Sequence, residues 1–403
     1  MTSSRALILV LLTALAAGGV RAQQIATIPL NEQRMPSDDL QYEGRLLRAD
    51  EAWQLSRQGL DLSTLSPVES AVWGPAKRAP LEGDDALVLN AGDTTEYAGA
   101  LQSASGLMRF NVRHGGSYSI VHLDKTLHTM LLRKNILRLL GYKVPAMKWL
   151  RSLDVRFATL DEMNSFLRSQ VPRATLGAAE RWVEVKDEAG LRLRLRDVVI
   201  TVPSSSDHYN FAMGVPPTTL SARSMRALIV PYGLMDLGES ANKFEWTVGR
   251  VSDNQILLPH FTRGNFATTM EDARWVMRRL AALSREELAQ AVQGAHFPPE
   301  VARLVLEKII SRRNALVRLF RTRDEAIPVD VRVSQAPPLE RGRLPRTDWA
   351  GYASRFAHGD PESPFKDMHW YVLAKLQALG IDNLIARANR ELLAFNPNEV
   401  RGQ

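Results

Sequence analysis

The sequence predicts an α+β fold: a mostly antiparallel sheet body with interspersed helices, followed by a helical C-terminal part. Three observations carry this. Between residues 86 and 265, segments with apolar residues at every second position recur, and turn formers join them into hairpins. Helix-period segments fall among these strands without alternating with them one for one, which favours a sheet built from hairpins. After residue 270 the apolar spacing is helical.

Taken in order, the chain opens with Arg5 and then "ALILVLLTALAAGGV", an apolar run of signal-peptide length. Val20 and Ala22 suit a signal peptidase, so residues 1–22 are expected to be a Sec leader cleaved after Ala22. The run is short of the roughly 20 apolar residues of a comfortable span, and charges break every later apolar segment. The mature chain is therefore expected to be secreted or periplasmic, without a further transmembrane span. With no cysteine in 403 residues, disulfides, thiol catalysis and thiolate metal sites are excluded. A bacterial envelope protein fits such an exported, cysteine-free chain.

Residues 23–85 are rich in turn formers with isolated apolar anchors such as Leu65, Val72 and Trp73, and read as an extended segment wrapped over the body. Residues 86–265 form the α+β body. Strands are expected in "DALVLNAG", in "GLMRFNVRHGGSYSIVHLDK" with a hairpin turn at Gly115-Gly116, and in "WVEVKDEAGLRLRLRDVVITV". "RALIVPYGLM", "FEWTVGRV" and "QILLPHF" add further strands, with a turn at Ser252-Asp253-Asn254. Between them, "TLHTMLLRKNILRLLG" puts Leu127, Met130, Leu131, Leu137 and Leu140 on one helical stripe, ended by Gly141. Thr159 is the expected N-cap of a helix in "TLDEMNSFLRSQV". Residues 266–325 form a helical subdomain whose last helix has the stripe Val301, Leu304, Val305, Ile309, Leu316 and Phe320, with Pro298 and Pro299 at its first turn. Residues 326–348, with four prolines among arginines, read as a linker, and residues 349–403 as C-terminal amphipathic helices.

The formal net charge is +7, and much of it is local: residues 303–346 hold eleven Lys or Arg against five Asp or Glu. If the apolar stripe of the long helix faces the body, its cations face solvent. Lys308, Arg312, Arg313, Arg321 and Arg323 are then the expected contact with an anionic envelope component. Export and the lack of a reading motif argue against nucleic acid as the partner.

Several chemistries find no support. The eight histidines make no HExxH or compact ligand set. There is no GxSxG elbow, and Ser204, Ser205, Ser206, Asp207 and His208 read as a polar loop, since sequence neighbours rarely converge as a triad. Asp236 and Glu239 could pair for glycoside hydrolysis, but only Trp246 and Tyr232 are near as aromatic platforms.

Phosphoryl transfer finds more of its parts in order. A Gly-turn hairpin ends in Lys125, a helix and "GYKVPAMKWLRSLDVRF" follow, and Asp236 and Asn242 in "MDLGESAN" precede another hairpin. "LLRKNILRLLGYKVPAMKWLRSLDVRF", and "MDLGESAN" with the later "LLPHFTRGNF", resemble passages of the atypical kinase-like families of the CotH and HipA types, over residues 110–266 at most. The resemblance implies a kinase-like fold binding ATP and Mg, with Asp236 as catalytic aspartate and Lys125 and Asn242 as nucleotide- and metal-side residues. The departures are specific. Five residues separate Asp236 from Asn242, where the protein-kinase loop has four. Arg263 falls where a magnesium ligand belongs, and residues 126–140 hold no acid to pair with Lys125. The expected function is therefore a non-catalytic binding or scaffolding protein with a degenerate kinase-like body. The alternative is an atypical ATP-dependent phosphotransferase that recruits Glu239 or Asp253 to its metal.

Overall fold

The structure, a computed structural model, describes residues 26–30, 33–101, 108–123, 127–169, 179–203, 221–235, 250–252, 255–258, 267–297, 299–322 and 326–330. The segments expected to be a leader (residues 1–22), most of a linker (326–348) and C-terminal helices (349–403) lie outside these residues. The chain is α+β, with antiparallel pairing prevailing in its sheets.

The body is built on the expected Gly-Gly hairpin. Gly115 and Gly116 both take positive φ, 54° and 84°, the conformation that lets a two-residue turn follow the strands' twist. It joins β5 (Met108–His114) to β6 (Ser117–Leu123) in unbroken register from Met108↔Leu123 to His114↔Ser117. The strand before it, β4 (Thr94–Leu101), was not foreseen. "DALVLNAG", expected to be that strand, is instead a 3-10 turn at Asp84–Ala86 followed by unpaired chain. β4 pairs antiparallel with β5 and parallel with β7 (Met147–Arg156), and β7 pairs along its length with β9 (Arg192–Thr201).

β9 divides its other edge. Its first half pairs with β8 (Val183–Asp187) and its last residues, Val199–Thr201, with Ile120–His122 of β6. The ring β6-β5-β4-β7-β9 is thereby closed, but over three residue pairs only. At the division Asp197 takes φ 49°, a left-handed conformation that Asp tolerates better than most residues. The core-facing parity of β9 changes there, from Leu193 and Leu195 to Val198 and Ile200.

The barrel core holds Phe110, Val112, Val121, Leu153 and Val155, and the helix Leu160–Arg168 closes it with Met163, Phe166 and Leu167. Here α1 denotes Ala49–Arg57, α2 Leu127–Leu139 and α3 Leu160–Arg168. Thr159 caps α3 as expected, its hydroxyl accepting the Glu162 N–H at 3.1 Å. Phe166 meets the rings of Tyr97, Phe110 and Phe157 within 5.7 Å.

The second core lies on the other side of β7 and β9 and centres on α2. The single stripe expected of α2 is exceeded: buried residues occupy nearly its whole circumference, Lys134, Asn135 and Arg138 included. Around it pack α4 (Arg223–Arg226), α5 (Ile229–Met235), α6 (Met270–Ala281), α7 (Arg285–Gln293) and α8 (Pro299–Leu319). "RALIVPYGLM", expected to be a strand, is instead the last residue of α4, a turn at residues 227–228, and α5. A short, fully buried apolar run has the same appearance in either state, and Pro231 in the first turn of a helix was the signal against a central strand.

The N-terminal segment meets the body at particular points: Trp73 is buried, edge-on to Trp275 at 5.5 Å, and β1 (Ala26–Pro29) pairs with β11 (Gln255–Leu258), which also pairs with β10 (Arg250–Ser252). It also has what the sequence did not announce, a small apolar cluster of Leu40, Leu47, Ala52 and Leu62 under α1 and the β2 (Leu40–Tyr42) and β3 (Arg45–Leu47) hairpin.

Candidate functional site

Lys125, Asp236 and Asn242, and with them Glu239, Asp253 and Arg263, lie outside the described residues. What is described is the frame that carries them. Leu123 ends β6 and Leu127 begins α2 on either side of Lys125, while Met235 ends α5 just before Asp236. Leu127 and Met235 belong to the same core cluster.

Three polar centres are built into this frame, and sequence reasoning missed all of them. The first joins α2 to the segment before β4. The Lys134 ammonium pairs with Asp84 and donates to the Met147 carbonyl at 3.0 Å. Arg138, one turn along the same helix face, reaches the other Asp84 oxygen at 3.0 Å and donates to the carbonyls of Pro80 and Val144. The side chain of Lys134 is 0% exposed and that of Asp84 9%. Burial lowers the Lys134 pKa to about 8, with Asp84 opposing the shift. Above the pair, the ring of His296 stacks on Trp149 at 4.7 Å, and its pKa is lowered first by desolvation and then by the Lys134 charge. The available signal was the i,i+4 pair of cations inside an apolar helix.

The second centre clamps the N-terminal segment. Asp272 of α6 accepts Arg223 Nε at 3.0 Å and faces Arg226 Nε at 2.9 Å, all buried. The same carboxylate completes a capping box with Thr269. Arg223 also donates to the carbonyls of Leu62 and Leu65, and its backbone N–H to Asp39. These bonds tie the small cluster under α1 to the helical layer.

The third lies on the strand pair that closes the barrel. His122 Nε2 meets Thr201 Oγ1 at 2.9 Å, bridging β6 to β9, and Arg109 stands opposite His122 on β5. Burial, aided by the Arg109 charge, depresses the His122 pKa to about 3. The ring is neutral under ordinary conditions.

The expected cationic face of α8 requires correction. Arg312 and Arg313 are buried: Arg312 donates to the Leu234 carbonyl at 3.0 Å, and Arg313 to the Ala281 carbonyl. Both cap the carbonyl-rich C-terminal ends of neighbouring helices, α5 and α6, where a cation is favoured. Arg318 and Arg321 are exposed, while the side chains of Lys308 and Arg323 lie outside the description.

Among the described residues no group of three or more His, Asp or Glu could hold a metal ion, and no helix is long and apolar enough to cross a membrane. No protein-family model, curated protein or solved structure matches the chain.

Proposed function

We propose that this is an exported protein of the bacterial envelope that works by binding an anionic partner, on a body that keeps a kinase-like order of parts without the catalytic set. The observation that carries the reading is the chemistry of α2. A kinase-like site needs an acid on this helix to hold its strand lysine. Here the helix offers cations, and Lys134 and Arg138 are committed to Asp84 and to main-chain carbonyls in the interior. The helix serves the fold.

The order Lys125, Asp236, Asn242 keeps the phosphotransferase reading alive, with Glu239 or Asp253 as metal ligands. A thermal-shift series with ATP, with and without Mg or Mn, separates the two. The binding reading expects no metal-dependent rise in Tm; a rise abolished by Asp236→Ala would replace it with the enzyme. Export is tested by N-terminal sequencing of the protein from the periplasmic fraction or medium, where the first residue should be Gln23.

A further inference from the structure

Residues 33–68 leave the body and return to it. On the way in, Ile28 of β1 is buried in the core around α2 and Leu30 packs against it; on the way out, Trp73 is buried there and Val72 packs against it. Between these anchors the chain bonds to itself. The Gln41 N–H donates to the Ser66 carbonyl at 2.9 Å and the Val68 N–H to the Asp39 carbonyl at 2.8 Å, which closes a stem. Beyond the stem lie α1 and the β2–β3 hairpin, turned at Glu43 and Gly44 with φ 50° and 80°. Leu40, Leu47, Ala52 and Leu62 form the core of this lobe, and among the described residues that cluster is separate from the one around α2.

What fastens the lobe to the helical layer is polar. Arginines of α4 and α6 supply the donors and the lobe supplies the acceptors. The Arg223 backbone N–H donates to Asp39 at 3.0 Å, and Arg223 Nη1 to the carbonyls of Leu62 and Leu65 at 2.6 and 2.7 Å. Arg226 Nη2 donates to the Met35 carbonyl at 3.0 Å. Arg278 Nη2 donates to Asp61 at 2.8 Å and to the Ser63 hydroxyl at 3.1 Å. Bonds of this kind are exchanged for bonds to water when two surfaces part, so the net cost of breaking each is modest. A core of four buried residues is too small to stand by itself, so hairpin and helix should be lost together once the arginines let go. Beneath the closed lobe the side chains of Arg223 and Asp272 are 0% exposed.

We propose that residues 33–68 form a lid, latched by Arg223, Arg226 and Arg278, which opens apart from the body as one cooperative unit and bares Arg223, Arg226 and Asp272 to solvent. The buried anchors at Ile28 and Trp73 hold both ends of the lid while it opens.

The test uses the full chain and two readouts by mass spectrometry: hydrogen exchange along the backbone, and arginine modification by phenylglyoxal. Arg138 is the reference for the second, because it is buried like Arg223 but held inside the body by Asp84. In wild type, α1 and the β2–β3 hairpin should share one protection and exchange at least about tenfold faster than β5 and α2. Arg223 should be modified faster than Arg138 by a similar factor. Asp39→Asn, which replaces a charged acceptor by a neutral one, should raise both lid signals about fivefold. Arg278→Gln, which removes a half-exposed ion pair, should raise them about twofold. Exchange in β5 and α2 should stay as in wild type in both variants. Exchange of the lid in step with β5 and α2, or modification of Arg223 no faster than of Arg138, overturns the lid. Unrelated protections within the lobe would show fraying and overturn the single unit. Variants that leave the lid signals unchanged, or raise exchange throughout the chain, overturn the arginines as its latch.

Discussion

Asp84 and Asp154 are built alike and used differently. Each is a buried carboxylate that engages two cations, Lys134 and Arg138 in one case, Arg192 and Arg194 in the other. At Asp84 the cations are as buried as the acid, and their remaining donors go to main-chain carbonyls. At Asp154 they reach solvent. The difference follows from where each carboxylate sits: Asp84 between a core helix and the start of β7, Asp154 on the outer surface of a sheet. A buried pair of charges is costly to break, because each partner left behind has lost its water. A carboxylate under exposed arginines can be lost more cheaply, since water replaces it.

The comparison predicts unequal responses to the same substitution. Asp84→Ala leaves Lys134 and Arg138 buried without their acid and should cost about 3–5 kcal/mol in urea unfolding. Asp154→Ala should cost clearly less, because water can solvate Arg192 and Arg194 once the carboxylate is gone. Equal losses at the two sites would show that exposure of the partner cations does not set the cost.

The next largest effect concerns pH. Folding depresses the His122 pKa from an ordinary 6.5 to about 3. The unfolded chain then binds a proton between those values that the folded chain does not, so stability rises with pH across that window and falls on acidification. The slope from this residue alone is about 1.4 kcal/mol per pH unit below pH 6.5. His122→Gln should flatten the profile between pH 6.5 and 4, measured by urea unfolding at several pH values. Parallel profiles would show that the ring is not held neutral at the barrel seam. The measurement sharpens the contrast between charged and neutral buried polar centres.

The smallest effect is a helix cap. Thr159→Ala removes the hydroxyl that accepts the Glu162 N–H and should cost about 1 kcal/mol by thermal or urea unfolding. Thr269→Ala should cost more than this. Its partner Asp272 also holds Arg223 and Arg226, so its capping box belongs to a buried network. A ranking with Thr159 above Thr269 would contradict that account.

What the chain determined by itself is what depends on neighbours in sequence. The Gly115-Gly116 hairpin, the Thr159 cap, the ends of α2 at Gly141 and of α8 at Pro299, and the α+β class were legible because turn chemistry, capping and periodicity act over a few residues. The state of "RALIVPYGLM" was not, because burial on all sides erases the periodicity that separates helix from strand. Nor was β4, whose strand character depends on partners far along the chain in β5 and β7. The charges show the limit most clearly. Arg312 and Arg313 read as solvent-facing until α5 and α6 brought carbonyl ends to meet them. The pairing of Asp84 with Lys134 and of Asp154 with Arg194 spans 50 and 40 residues, respectively. Whether a charge is buried, bridged or presented is set by what the tertiary structure places against it, and sequence spacing alone does not encode that distance.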